Sequence, residues 1–140
     1  MGRPLEIKNI TKKSFAKYGT VLEHVKQKDG YEAIVTVNSR GWIWAVRTFG
    51  IKAISTLQSH PTSRESFEPV FGVAVLVVAP LASPEKQEAF LLDRPVLLQA
   101  GVWHGLISLA ESTRVKISEN NDVTTNEFKL GHALRIVAEG

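Results

Sequence analysis

The sequence predicts an all-β domain: an antiparallel barrel with one short N-terminal helix. Three observations lead there. Short apolar segments rich in Val, Ile, Phe and Trp recur with turn residues between them, as in a sandwich or barrel rather than in alternating β/α units. Only one stretch carries both start and stop signals for a helix. With 140 residues, 1–140 are read as a single domain, because the chain suffices for one real core and not for two.

The helix comes first, from Thr11 to Lys17. Thr11 is placed to cap it, Phe15 and Tyr18 to pack its inner side, and Gly19 to stop it in a left-handed conformation. Strands are then expected over Tyr31–Val37 and Trp42–Phe49. The turn between them, Asn38-Ser39-Arg40-Gly41, contains residues that tolerate positive φ. Ile51–His60, Glu65–Val70 and Val73–Val78 follow, the last continuously apolar and so read as buried on both faces. Ser83–Glu88 is a polar loop. Ala89–Leu92, Val96–Gln99, Trp103–Leu109, Val115–Ser118 and Leu134–Val137 complete the strands.

Strand parity assigns the faces. In Ile51–His60, alternation puts Gln58 and His60 on one side with Lys52, Ile54 and Thr56, opposite Ile51, Ala53, Ser55 and Leu57. His104, Leu106 and Ser108 share one face of their strand. Glu68 has the opposite parity to Glu65 and reads as exterior.

Composition removes several function classes. Hydrophobic residues at 44% and charged residues at 22% are those of a soluble globular protein. The absence of cysteine excludes disulfides, thiolate metal sites and a Cys nucleophile. The 17 Lys and Arg are scattered and the formal charge is only +3, so no nucleic-acid partner is expected. No apolar run approaches the roughly 18–20 residues of a membrane helix, so no membrane partner is expected either. Met1-Gly2-Arg3-Pro4 lacks the apolar run of a signal peptide, which leaves a cytoplasmic location as the expectation.

Two segments carry chemistry. Gln58-Ser59-His60 is followed by Glu65 after four intervening residues and by Gly72 after six more; further on comes Gly101-Val102-Trp103-His104. These spacings resemble the two motifs of the cupins, with Gln58 in the place of the first motif His. Side chains at i and i+2 of one strand, a carboxylate on the returning strand and a His from a later strand can converge inside a barrel. His60, Glu65 and His104 are therefore candidate ligands for a divalent metal, and such a set suits Zn, Mn, Fe or Ni.

A closer resemblance runs from Phe15 to Leu109. Phe15-Ala16-Lys17-Tyr18-Gly19-Thr20-Val21-Leu22, Leu57-Gln58-Ser59-His60-Pro61 with Ser66-Phe67-Glu68-Pro69, Gly72 through Pro80, Ala89-Phe90, and Gly101-Val102-Trp103-His104 appear in an order similar to that of the ureidoglycolate lyase family, itself cupin. The resemblance implies cleavage of a small ureido acid to glyoxylate and urea in the barrel lumen, and a homodimer. The catalytic residues on that reading are His60, Glu65 and His104, with Glu65 or His60 as base and His104 as acid or metal ligand. The substrate carboxylate calls for a bidentate cation. Arg47 is the first candidate and Arg64 the second, with Gln58 beside them.

Other readings stay open. The same pocket suits a non-catalytic cupin binding a small carboxylate or sugar, or a metal-dependent isomerase or dioxygenase. His104 also reads as a core histidine, and Glu65 as a turn carboxylate paired with Arg64. Trp42, Trp44 and Trp103 read as core or dimer packing, and His24 and His132 as surface groups.

Overall fold

The computed structural model describes residues 5–36, 41–121 and 123–136. Among them the chain forms strands β1 (Ile7–Asn9), β2 (Gly19–Val21), β3 (Trp42–Phe49), β4 (Ala53–Ser59), β5 (Glu65–Phe71), β6 (Ala74–Ala79), β7 (Glu88–Leu92), β8 (Val96–Leu98), β9 (Trp103–Ser108), β10 (Thr113–Asn120) and β11 (Asn126–Arg135). They make a six-stranded sheet in the order β1-β7-β6-β9-β4-β11 and a five-stranded sheet in the order β2-β8-β5-β10-β3. The all-β expectation stands. The barrel does not close: each strand spends its ladder hydrogen bonds within its own sheet, and the sheets meet through side chains. Phe67, Val115 and Ile117 of one sheet interlock with Leu76, Val78, Phe90 and Leu106 of the other.

β6 is buried on both sides, as its apolar run predicts. Leu76 and Val78 face the second sheet. Val75, Val77 and Ala79 pack outward on Leu57, Ile107 and Leu134. Each such side chain contributes roughly 1.5–3 kcal/mol by leaving water.

The expected helix is absent. Thr11 does cap: its Oγ1 accepts from Ser14 N at 2.9 Å while Ser14 Oγ accepts from Thr11 N at 2.9 Å. Beyond the cap the chain makes a run of turns, with Phe15 N bonded to Thr11 O at 3.0 Å and both Tyr18 N and Gly19 N bonded to Phe15 O. A stretch this short cannot offset the cost of nucleating a regular ladder. Tertiary packing takes over: Phe15 and Tyr18 are fully buried, edge-on to Phe90 at ring separations of 5.3 and 5.8 Å. Gly19 is not a left-handed stop. It opens β2, where a Cβ would lie 2.0 Å from Leu97 O, so glycine is required by close strand approach.

Other expectations shift. Residues 31–36 form no strand, and Val37, Asn38, Ser39 and Arg40 of the predicted strand and turn lie outside the described residues. β1 and β2 were not foreseen. Ile54, only partly buried, packs against the cluster that contains Leu57 although alternation opposes them, and the partner strand β11 is irregular between Lys129 and Leu134. Trp42 and Trp44 are exposed, Trp44 at 76%, which removes the core reading for both. Trp103 is part-covered by Phe128 and donates Nε1–H to Leu81 O. His24 is not a solitary surface group; its Nδ1 lies 3.0 Å from Glu32 Oε1. Among the described residues no helix is long and apolar enough to cross a membrane.

Both glycines of the sequence motifs, Gly72 at the end of the first and Gly101 at the start of the second, have a backbone reason. Gly72 and Gly101 adopt φ of 83° and 86°, a region costly for residues with a Cβ. At Gly72 that Cβ would also meet Ser112 O at 2.5 Å. Gly72→Ala is therefore expected to destabilise the fold by about 2 kcal/mol or more, read as a lowered urea midpoint with unchanged slope. A second test concerns the loop that Glu32 closes by accepting from the amides of Val25, Lys26 and Gln27. Its bond with His24, then those amides, holds the carboxyl at about 2 instead of 4.5. The contribution to stability is complete above the ordinary value and is lost as pH falls through the folded one. The Val25–Gln27 amide shifts should titrate with a midpoint near 2; a midpoint near 4.5 would show the clamp unformed.

Candidate metal and acid site

Two chain corners meet to build the site. β4 ends at Ser59, and His60 opens the turn through Pro61 and Thr62 that leads into β5 at Glu65. The second corner is the turn at Gly101 before β9. Gly101 N donates to His60 O at 3.0 Å and Ser59 Oγ donates to Gly101 O at 2.9 Å, so the corners are bolted together. Gln58 sits directly across the ladder from His104.

The result is convergence. His60 Nε2 and His104 Nε2 lie 3.2 and 3.0 Å from the same atom, Glu65 Oε1. All three residues are buried and the rings are 5.0 Å apart. Glu65 is thus not a turn carboxylate paired with Arg64. Its pKa reflects a contest: burial pushes it up, but the adjoining His104 and His60 imidazoles outweigh that and hold it far below the usual carboxylate range. His60 moves up, chiefly because Glu65 favours the imidazolium, with burial opposing.

The donor set fits a divalent metal. Nδ1 of His60 lies 3.2 Å from Thr124 O, and Nδ1 of His104 lies 3.2 Å from Val102 O. A carbonyl can only accept, so each Nδ1 carries a proton and it is Nε2 that each ring turns toward Glu65, the nitrogen that would bind a metal once its own proton is lost. Glu65 Oε1 is buried and makes no hydrogen bond of its own. Two imidazole Nε2 atoms and a carboxylate oxygen, with ligand atoms all within 4.8 Å of one another, form a set that could hold a cation. Two imidazoles and a carboxylate accommodate Zn, Mn, Fe or Ni.

A cavity of about 250 Å³ opens beside this centre between the two sheets. Glu65, His104 and Gln58 line its inner end, Phe67 and Ile117 its flank and Arg47 its rim. His60 is not in that wall. Of the two candidate anchors, Arg47 reaches the cavity while Arg64 is exposed on the turn and does not.

Glu119 was not anticipated. The predicted strand ends at Ser118, whereas β10 runs to Asn120 and places Glu119 directly opposite Glu65. The signal was present: Thr113, Val115 and Ile117 alternate inward, and two residues further the same parity falls on Glu119. Its carboxyl hydrogen-bonds Glu65. Burial, then that bond and the Glu65 charge, pushes its pKa up to about 7.

Neither a protein-family model nor a curated protein matches the chain. The ureidoglycolate lyase resemblance therefore rests on its sequence blocks. Solved structures of oxalate decarboxylase do match. A mutant of Bacillus subtilis oxalate decarboxylase OxdC superposes with a TM-score of 0.48 at 19% identity, over 64% of this chain and 24% of that one. A structure concerned with substrate binding mode and reaction specificity in oxalate decarboxylase gives 0.47 at 20% identity over the same shares. The chain thus spans about a quarter of the length of these structures, at 24%. At this identity and overlap the likeness assigns no activity.

Glu119 touches a ligand rather than the centre of the trio, so its effect on metal should be indirect. Glu119→Ala is expected to weaken Zn(II) or Mn(II) binding by roughly 10–100-fold in a chelator competition. Glu119→Gln, which keeps a hydrogen-bonding head against Glu65, should lose much less. Equal loss in both variants would show that Glu119 does not orient Glu65.

Proposed function

We propose that the chain is a metal-dependent enzyme of cupin type acting on a small carboxylate in the cavity beside His60, Glu65 and His104. The observation that carries this reading is the convergence of two Nε2 atoms on one buried carboxylate oxygen, with both Nδ1 atoms tied to carbonyls. A metal there supplies Lewis-acid polarisation of a substrate oxygen. The protein's own groups do the rest. Arg47 offers a guanidinium at the cavity rim, suited to bidentate capture of the acid. Gln58 presents an amide beside His104 that can orient a substrate oxygen. Phe67, Leu106 and Ile117 form an apolar flank that limits water.

The isomerase and dioxygenase classes suit this donor set better than a metal-free lyase, because two imidazole nitrogens and a carboxylate oxygen converge on one point. Cleavage of ureidoglycolate remains the finer alternative, supported by the sequence blocks from Phe15 to Leu109. A homodimer belongs to the same reading: exposed Trp42, Trp44 and Val46 stand together on the outer side of edge strand β3.

Untagged protein reconstituted with Mn, Fe, Ni or Zn should retain stoichiometric metal after gel filtration. His60→Ala, Glu65→Ala and His104→Ala should each lose it while keeping wild-type circular dichroism. Retention of metal by all three variants, or none by the wild type with any of the four ions, sinks the metal assignment. Glyoxylate release from (S)-ureidoglycolate, abolished in Glu65→Ala, would instead select the lyase.

A further inference from the structure

The anchor and the metal-binding trio stand at opposite ends of one cavity, and strand register sets their separation. Inward positions of the five-stranded sheet form rows across β3, β10 and β5. Ile43, Glu119 and Glu65 make one row, and Ala45, Ile117 and Phe67 the next. Arg47 begins the third, opposite Val115. Two rows are four residues, or about 13 Å along a strand, and two strand spacings add about 9.5 Å across. The Cα atoms of Arg47 and Glu65 are therefore roughly 16 Å apart on a flat sheet.

Side chains do not close that gap. The Arg47 guanidinium carbon lies 5.9 Å from the Phe49 ring, and Phe49 is one inward position further from the trio. No ion pair joins Arg47 to a carboxylate among the described residues. Its charge is available to a ligand. Between the two ends, Phe67, Leu106 and Ile117 line the cavity and sit in the apolar core. The site thus has a cationic rim, an apolar wall of Phe67, Leu106 and Ile117 in a cavity that Ser55 and Thr56 also line, and a nitrogen-and-oxygen donor centre at the inner end.

From this spacing we infer that the substrate is an extended acid whose two oxygen-bearing ends are separated by an apolar spacer of several carbons. One carboxylate pairs with Arg47 and the reacting end lies at His60, Glu65 and His104. This rests on the metal-enzyme reading above and adds the length of the ligand to it. A two-carbon acid can engage either end and cannot bridge them. Arg47 is then the residue that sets chain length.

A length series of diacids tests this: oxalate, succinate, adipate and suberate, titrated calorimetrically into the metal-reconstituted full chain. Wild type is expected to bind adipate or suberate about tenfold or more tighter than oxalate, as one charged hydrogen-bonded pair contributes. Arg47→Met should erase that preference while leaving metal content unchanged. Arg47→Lys, which keeps the charge without the fork, should restore part of it. Equal affinity for oxalate and the longer diacids in wild type, or a preference that survives in Arg47→Met, overturns the inference. Failure of the metal reading is scored separately, by the metal content of wild type against His60→Ala.

Discussion

One buried oxygen organises the molecule's functional end. Glu65 Oε1 stands between two imidazoles at 3.0 and 3.2 Å, so the region is stable only if positive charge resides among the three groups. A proton on an imidazole or a metal ion meets that need, and the two compete for the same lone pairs. The surrounding backbone is arranged for the competition. The bonds between the His60 and Gly101 corners fix the distance between the rings, and the Nδ1 contacts fix their tautomer. Because these bonds form only in the folded chain, occupancy of the centre and folding are thermodynamically linked.

The sheets serve this centre by dividing labour. β6, buried on both faces, anchors the six-stranded sheet, and β9 hangs His104 beside it. The five-stranded sheet supplies Glu65 and Glu119 from adjacent strands in register. Their outer ends are left unjoined, and the resulting gap is the cavity.

Much of this was readable in the residues. Two-residue strand periodicity and a short turn relate Gln58, His60 and Glu65 to one another, and it was the resemblance to the two cupin motifs that added His104 to them. The motif glycines were readable too, and their positive φ explains why glycine stands there. Where reading failed, non-local packing had won. The capped segment after Thr11 carries correct local helix signals, yet burial of Phe15 and Tyr18 against Phe90 sets its path. β1 and β2, at three residues each, are too short to show periodicity and exist by pairing with β7 and β8. The irregularity of β11 between Lys129 and Leu134 is likewise announced by no residue of its partner β4. Glu119 lay one step past a strand end drawn too early at Ser118.

The ring anchors have a consequence for divergence among relatives. Each ring has a main-chain oxygen, of Thr124 or Val102, at its Nδ1, and the His60 ring has the Thr125 hydroxyl there as well. No side-chain exchange at either position deletes such an acceptor, so drift there leaves the imidazoles aimed as before. Only an insertion, a deletion or a proline that reroutes the chain can unseat them. The main-chain share of what orients this centre is therefore invisible to any comparison that scores residue types alone.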